Sequence, residues 1–329
     1  MKPRVRVIST GGTIAAKTKS ATRTTGYQDI GLSADDLLQS VPGAEEYAAI
    51  TTENIYSIPS SAMTGAHLLT LAKRINALLQ GGEADGVVVT HGTDTLEETA
   101  FFLHLTVKSE KPVVVVGSML PATVLSADGP LNLYNAILAA SAAESRGKGV
   151  LVCMCGRLLS ARDAAKTSTF RLDAFKAPEY GALGHVAGKS VRYYYAPTRP
   201  HTAQTEFNIK GIETLPRVEI LYMYEDCDEH LLKAAVENGC GGIVCAGLGC
   251  GAIPPRVREY YRQLEVKPPM VRGSRVGSGY VARHGITPDD VYNTIPAGDF
   301  TVQKARLLLQ LALTVTTDLE ELCAIFQRY

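Results

Sequence analysis

Short β-branched runs that end in glycine-threonine turns constrain the fold of this chain more than any other feature. Two such runs lead directly into the segments Thr10-Gly11-Gly12-Thr13 and His91-Gly92-Thr93-Asp94. Runs of this kind, bounded by glycine, are typical of buried strands. Ligands of open α/β sheets bind outside the carboxyl ends of the strands. The two turns therefore predict a ligand crevice with an exposed threonine hydroxyl at the end of each strand.

Helical periodicity alternates with these strand-like runs along the chain. Leucine and isoleucine recur at helical spacing over residues 68–79, the strand-like run 86–89 follows, and an apolar helical stripe covers residues 96–107. The runs 113–116 and 150–152 are apolar on both faces, which is typical of a covered parallel sheet. Alternation of this kind predicts βαβ units. We expect an α/β fold with a doubly wound, mostly parallel sheet in a large N-terminal domain.

The chain divides at a polar stretch. Periodicity disappears over residues 196–216, which contain several prolines and are predicted to be a linker. Residues 1–195 then form the N-terminal α/β catalytic domain, and residues 217–329 form a smaller C-terminal α/β domain. Near the end, Asp318 is predicted to cap a terminal helix whose apolar face includes Leu322.

Composition narrows the class of ligand. The 33 lysine and arginine residues balance 33 aspartate and glutamate residues, which argues against nucleic-acid and membrane-surface binding. A small neutral or zwitterionic ligand fits this balance better. No apolar run reaches the roughly 18 residues that a membrane span needs. If Met1 is the native start, the chain leads straight into a strand rather than a signal peptide, and we expect a cytoplasmic protein.

The cysteine pattern indicates reduced thiols. Seven cysteines are an odd number in a chain that is long enough to fold without a disulfide framework. None of their spacings is the Cys-x-x-Cys pair that is typical of a zinc site. We therefore predict no structural metal.

A threonine hydroxyl is a weak nucleophile, so catalysis by threonine requires a neighbouring base or cation. Residues 17–27 form a polar segment without a core pattern, and Tyr27 lies at its end. Such a loop can close over a site, although its composition fits a solvated loop equally well.

The second turn stands where a strand becomes a helix. Backbone N–H groups and the positive end of the helix dipole therefore point toward any ligand at Thr93 and Asp94. Simple helix capping explains both residue types equally well. Residues 95–98 in addition read as a capping box.

Several segments resemble the bacterial-type L-asparaginase family. Residues 9–15 and 90–100 are similar to the two signature segments of that family, and residues 126–136 are similar to a third segment. Residues 161–167 and 303–314 extend the agreement. The resemblance follows the order of the family and spans nearly the whole chain.

The resemblance implies a two-step amide hydrolysis through a covalent acyl-enzyme, without a metal or an organic cofactor. Thr13 matches the nucleophile of the family, and Tyr27 matches the tyrosine that helps to activate it. Thr93, Asp94 and Lys166 match a second group, in which a lysine beside an aspartate passes a proton while the threonine orients or activates the attacking group. Without the resemblance, Lys166 would be interpreted as a surface lysine.

The resemblance also implies four substrate-binding residues, Ser60, Ser61, Thr93 and Asp94. Ser60 matches the serine that holds the substrate α-carboxylate, and Asp94 is expected to bind the α-ammonium group. Ser61 takes the place of a substrate-binding Gln or Glu. Ala252 stands where the partner subunit often supplies Asn or Ser, and residues 283–286 contain no acid that matches the cross-subunit Glu of the family. These departures leave the preference between asparagine and glutamine open.

The sequence thus predicts an L-asparaginase that converts L-asparagine and water to L-aspartate and ammonia, with low or secondary glutaminase activity. The resemblance implies a homotetramer of tight dimers, with each site between the N-terminal domain of one subunit and the C-terminal domain of its neighbour. One alternative is a glutaminase-asparaginase of broad specificity. Another is a non-catalytic amino-acid-binding module, which the presence of Thr13, Thr93 and Lys166 disfavours. A third is the ammonia-producing subunit of an archaeal-type tRNA amidotransferase, disfavoured because the first strand already includes Val5.

Overall fold

The computed structural model describes residues 1–26 and 29–329 of the chain. The chain forms two compact units, Met1–Gly211 and Ile212–Tyr329. The division between them falls inside the polar stretch 196–216.

The first unit contains a large mixed sheet and two short strand pairs, β2 with β3 and β9 with β10. The strands of this unit are β1 (Arg4–Gly11), β2 (Ala16–Lys17), β3 (Asp29–Ile30), β4 (Ala49–Ile58), β5 (Gly86–Thr90), β6 (Val113–Val116), β7 (Val150–Met154), β8 (Arg157–Ser160), β9 (Ala165–Lys166), β10 (Phe175–Lys176), β11 (Gly184–Ala187) and β12 (Ser190–Tyr193). Its helices are α1 (Ala34–Gln39), α2 (Gly65–Gln80), α3 (Leu96–Thr106) and α4 (Gly129–Ser141).

Within the described residues, the main sheet has the strand order β12-β11-β8-β7-β6-β5-β1-β4. The pairs from β4 to β7 are parallel, whereas those from β7 to β12 are antiparallel. The prediction of a doubly wound, mostly parallel sheet is confirmed. Strands β1 and β5 lie side by side, so the two glycine-threonine turns leave the same edge of the sheet.

The second unit carries a smaller parallel sheet. Its strands are β13 (Val218–Tyr222), β14 (Gly242–Gly247), β15 (Met270–Ser274) and β16 (Thr294–Pro296), and its helices are α5 (His230–Glu237), α6 (Pro255–Gln263), α7 (Asp289–Tyr292), α8 (Val302–Ala312) and α9 (Leu319–Arg328). The strands pair in chain order, and every pair is parallel. The predicted cap of α9 is confirmed, because the Asp318 side chain accepts a hydrogen bond from Glu321 N.

Helix α3 differs from its prediction in two ways. Of its eleven residues, all of them described, only Glu98 is not buried, so α3 is an interior helix rather than an amphipathic one. The capping box predicted over residues 95–98 is wrong, because the Thr95 side chain makes no cap hydrogen bond. Thr95 Oγ1 donates instead to the carbonyl of Ser60 at 2.8 Å. The hydroxyl thus joins two segments of the sheet edge.

No helix in the described part of the chain is long and apolar enough to cross a membrane. The seven cysteines, all within that part, carry free thiols.

Candidate active site

The two glycine-threonine turns meet through their backbones. Gly12 has a φ of +82°, and a Cβ added to it would lie 2.2 Å from Gly92 N and Cα. Gly11 has a φ of +96°, and its added Cβ would lie 2.6 Å from the backbone of Ile58. Such distances exclude a side chain at either position, and the positive φ favours glycine as well. The glycines therefore allow the ends of β1, β4 and β5 to approach closely.

Three polar side chains meet beside the second turn. Lys166 Nζ donates to Thr93 Oγ1 and to Asp94 Oδ1, each at 2.9 Å. Lys166 lies on the two-residue strand β9, more than 70 residues farther along the chain. The Asp94 side chain is 65% exposed, whereas that of Lys166 is 18% exposed. Thr93 is buried, so the expectation of an exposed hydroxyl at this turn is wrong, and the Lys166 ammonium lies against that hydroxyl.

A cavity of about 460 Å³ opens beside these turns, and Thr13, Ser60 and Asp94 are among its lining residues. Thr13 begins a short 3-10 turn after Gly12 and is partly exposed. The buried Ser60 Oγ accepts a hydrogen bond from Asp94 N at 3.1 Å. The structure thus brings Thr13, Ser60 and Asp94 to one cavity, and Asp94 connects the cavity to Lys166.

Two other predicted site residues stand apart from this group. Ser61 is exposed and is not one of the described residues that line the cavity. Tyr27 lies outside the described residues, and its role stays a prediction. The neighbouring residues 24–26 do line the cavity.

Family models match both halves of the chain. The model described as "Asparaginase, N-terminal" matches residues 4–199, and the model described as "Glutaminase/Asparaginase C-terminal domain" matches residues 217–326. The chain belongs to the bacterial-type L-asparaginase family. The prediction of an amidohydrolase is confirmed at the level of this family.

Individual relatives span nearly the whole chain. The chain is 43% identical to L-asparaginase 2 of Bacillus subtilis, over 99% of this chain and 87% of that protein. It is 42% identical to a glutaminase-asparaginase of Pseudomonas aeruginosa, over 99% of this chain and 90% of that protein. The crystal structure of a probable cytoplasmic L-asparaginase from Campylobacter jejuni superposes with a TM-score of 0.94 at 42% identity and covers 100% of both chains.

A buried histidine supports the second turn of this asparaginase-family chain. His91 is fully buried, its Nδ1–H donates to the Gly92 carbonyl at 2.7 Å, and its Nε2 lies 2.9 Å from Thr99 Oγ1. Burial lowers the pKa of His91 to about 4, although the bond to the Gly92 carbonyl opposes that shift. His91 is therefore neutral near pH 7, and its Nε2 accepts a hydrogen bond from the Thr99 hydroxyl. This histidine was not predicted from the sequence, although it is part of the second turn.

A second support lies under the cavity wall. The Asp128 carboxylate accepts the backbone N–H groups of Met119 and Leu120 at 2.9–3.2 Å. Asn132 donates to the carbonyl of Gly117 at 3.1 Å. Met119 lines the cavity, so the segment 126–136 contributes by fixing that wall. The only sequence signal for this role was the family resemblance of the segment.

In the second unit, Ala252 and residues 283–286 lie in loops beside the smaller sheet. Ala252 forms an isolated β-bridge with Leu248. Arg283 Nη2 lies 3.3 Å from Asp290 Oδ1, and His284 Nδ1 lies 3.4 Å from the other oxygen of that carboxylate. Asp290 therefore supplies an acid next to the segment in which the sequence contained none.

Proposed function

We propose that this chain hydrolyses L-asparagine to L-aspartate and ammonia through a threonine acyl-enzyme, with Thr13 as the nucleophile. One observation carries the proposal: Lys166 bonds at 2.9 Å to both Thr93 and Asp94 beside a cavity that Thr13 also lines. A cation that contacts a hydroxyl and a carboxylate can hold and move protons during acyl transfer. The names of the B. subtilis and C. jejuni relatives, both L-asparaginases, support the same substrate.

Ser60 and Asp94 would hold the amino-acid end of the substrate. Ser60 Oγ accepts the N–H of Asp94, and a hydroxyl that accepts a hydrogen bond keeps its own proton to donate. We assign that proton to the substrate α-carboxylate. The exposed Asp94 carboxylate would bind the α-ammonium group through a charge-assisted hydrogen bond. Together the two contacts would distinguish an amino acid from a simple amide.

The first chemical step would form the acyl-enzyme. Thr13 Oγ1 attacks the amide carbon, the bond between that carbon and the amide nitrogen breaks, and the threonine proton leaves with the nitrogen as ammonia. We assign Tyr27 to this proton transfer.

The second step would release the product. Water attacks the ester carbon, the bond to Thr13 Oγ1 breaks, and one water proton returns to the threonine. We assign Thr93, Asp94 and Lys166 to the orientation and deprotonation of the water.

We further propose that the protein hydrolyses glutamine more slowly than asparagine. Ser61 and Ala252 are shorter than the residues that the family places at these positions, and a longer substrate depends more on remote contacts. A glutaminase-asparaginase of broad specificity remains the second candidate, because relatives from P. aeruginosa and Pseudomonas fluorescens carry that name. Ammonia release from asparagine and glutamine, measured side by side, separates the two, and equal turnover would reject the preference.

We also propose that the protein is a homotetramer and that it is located in the cytoplasm. The C. jejuni neighbour is named a probable cytoplasmic L-asparaginase, whereas a relative from Haemophilus influenzae is named a probable periplasmic L-asparaginase.

A trapping experiment tests the nucleophile. Wild-type protein mixed with asparagine and quenched in acid within milliseconds should gain the mass of one aspartyl residue, and peptide mapping should place that gain on Thr13. Thr13→Ala should lose the adduct and roughly a thousandfold in turnover. Thr22→Ala, which changes an exposed threonine outside the cavity lining, is the matched control. An adduct on Thr93, or an active Thr13→Ala protein, would reject the assignment.

A further inference from the structure

We propose that Glu97 is a positioning residue, whose buried carboxylate holds the backbone of strand β9 so that the Lys166 ammonium reaches Thr93 and Asp94. The inference rests on the proposed function for its kinetic consequence. Its structural basis is a hydrogen bond in which Lys166 N donates to Glu97 Oε2 at 2.5 Å.

Glu97 is buried, with a relative exposure of 6%. A carboxylate is rarely buried at this level without strong partners, because the loss of its hydration is costly. Glu97 is the second residue of α3, where the positive end of the helix dipole favours a negative charge. Dipole and hydrogen bond together explain how the charge is accommodated, and they fix the carboxylate where it meets β9.

Strand pairing constrains β9 only over a short stretch. This strand has two residues and, among the described residues, pairs only with the two-residue strand β10, and the contact is extended by a bond from Thr167 N to the Ala174 carbonyl at 2.7 Å. A ladder of this length holds a backbone poorly, because short isolated strand pairs are marginally stable in water. The bond from Lys166 N to Glu97 adds an anchor from an interior helix. That anchor joins β9 to the element that follows the second turn.

Lys166 is held at both its backbone and its ammonium group by one short segment. Its backbone N–H binds Glu97, and its ammonium binds Thr93 and Asp94. These three partners lie within the five consecutive residues 93–97, which lead from the second turn into α3. Displacement of the backbone would therefore move the ammonium relative to its two partners, and misplacement by about 1 Å can cost about a hundredfold in rate.

The adjacent Glu98 provides a matched control. It has the same charge and the same helix, but it is the one residue of α3 that is not buried. A general effect of negative charge on the helix N-terminus would appear in both positions. An effect through the backbone of Lys166 would appear only at Glu97.

The test compares Glu97→Ala, Glu97→Gln and Glu98→Ala in asparagine hydrolysis. Glu97→Ala should lower kcat roughly 10- to 100-fold while KM changes less than about threefold. Glu97→Gln should recover most of the rate, because its amide oxygen can accept the same N–H. Glu98→Ala should resemble the wild type. A wild-type kcat in Glu97→Ala, or a Glu97→Gln protein as slow as Glu97→Ala, would overturn the inference.

A second measurement does not depend on activity. Hydrogen exchange of peptides that cover residues 161–170 should be faster in Glu97→Ala than in the wild type and unchanged in Glu98→Ala. Unchanged exchange in Glu97→Ala would overturn the anchoring role. If the wild type releases no ammonia from asparagine, the proposed function fails, while the exchange result still decides whether Glu97 holds β9.

Discussion

Arg272 and Asp289 in the second unit form an ion pair, as do Lys166 and Asp94 in the first unit. The two pairs differ in burial and in the number of hydrogen bonds between the partners. In the second unit, Arg272 binds Asp289 through two hydrogen bonds of 2.7 and 2.9 Å, and the two side chains are 0% and 2% exposed. In the first unit, Lys166 binds Asp94 through one bond of 2.9 Å, and Asp94 is 65% exposed.

The buried pair is surrounded by protein groups. Arg272 also donates to the carbonyls of Cys250 and Ala282, and Asp289 also accepts from Thr294 Oγ1 and His284 N. The pair therefore joins several loops. The Asp94 side chain instead lines a cavity, and most of its own surface is accessible. A carboxylate beside a cation thus indicates a binding site when it is open to a cavity, and a structural bond when protein atoms surround it.

The largest effect is expected when the buried pair is broken. Arg272→Met should lower the free energy of unfolding by about 3–5 kcal/mol, because it leaves the Asp289 carboxylate buried without its cation. Urea unfolding of wild type and variant measures the loss. Arg171→Met is the control. The Arg171 side chain is 70% exposed and pairs with Asp173, so its loss should change stability far less. Equal losses in the two variants would contradict the comparison.

The open pair should behave in the opposite way. Lys166→Met should lower asparagine turnover roughly 100- to 1,000-fold, because the proton-handling group loses its cation. Its urea midpoint should move much less than that of Arg272→Met, since the Asp94 carboxylate stays hydrated. Lys176→Met on the neighbouring strand β10 is the control, and its turnover should match the wild type. A Lys166→Met protein that unfolds as easily as Arg272→Met would make Lys166 structural.

The two units should also lose stability in different pH ranges. The folded pKa of His91 is about 4, below its ordinary value of 6.5, so the unfolded chain binds the proton more readily between these values. The contribution of His91 is complete above pH 6.5 and is lost as the pH falls toward 4, by roughly 3 kcal/mol. Urea midpoints measured from pH 7 to pH 4 should fall more steeply in the wild type than in His91→Gln. His230→Gln, at a histidine side chain that is 79% exposed, should keep the wild-type slope.

Asp289 should act at lower pH. Burial raises its pKa, but hydrogen bonds from Arg272, Thr294 and His284 N outweigh burial and leave the pKa below the ordinary value of 3.8. Its contribution is therefore present above about pH 4 and is lost below that value. The protection factors of residues 270–294 against hydrogen exchange should be the same at pH 5 as at pH 7. Those of residues 86–106 should already be lower at pH 5 than at pH 7. The reverse order would contradict the assignment of the two pH ranges.

Local pattern predicted the elements that local interactions determine. Helix α2 and the central strands of both sheets follow from periodicity and β-branched runs. The buried circumference of α3 was not predicted, because neighbours distant in sequence cover it: α3 packs against α2, β6 and β7. The capping box failed for the same reason, since the Thr95 hydroxyl binds a carbonyl 35 residues away. Long-range competition decided both cases.

The candidate site divides in the same way. Thr13, Thr93 and Asp94 stand at strand ends, where the sequence pattern predicts ligand contacts. Lys166 had no periodic signal and was identified only through the family resemblance. Glu97 acts on a residue 69 positions away, which no local pattern reports. Arg272 could have been noticed, because an arginine between apolar residues and glycine in a buried strand requires a buried partner.

The approach of Gly12 to Gly92 limits how this chain can change its substrate. The main chains of the two turns pack directly against each other, so any side chain at Gly12 would collide with Gly92. Met119 and Phe170 line the same cavity with side chains that substitution can change. Mutation can therefore alter such lining side chains, while the contact between the two turns tolerates no side chain at Gly12.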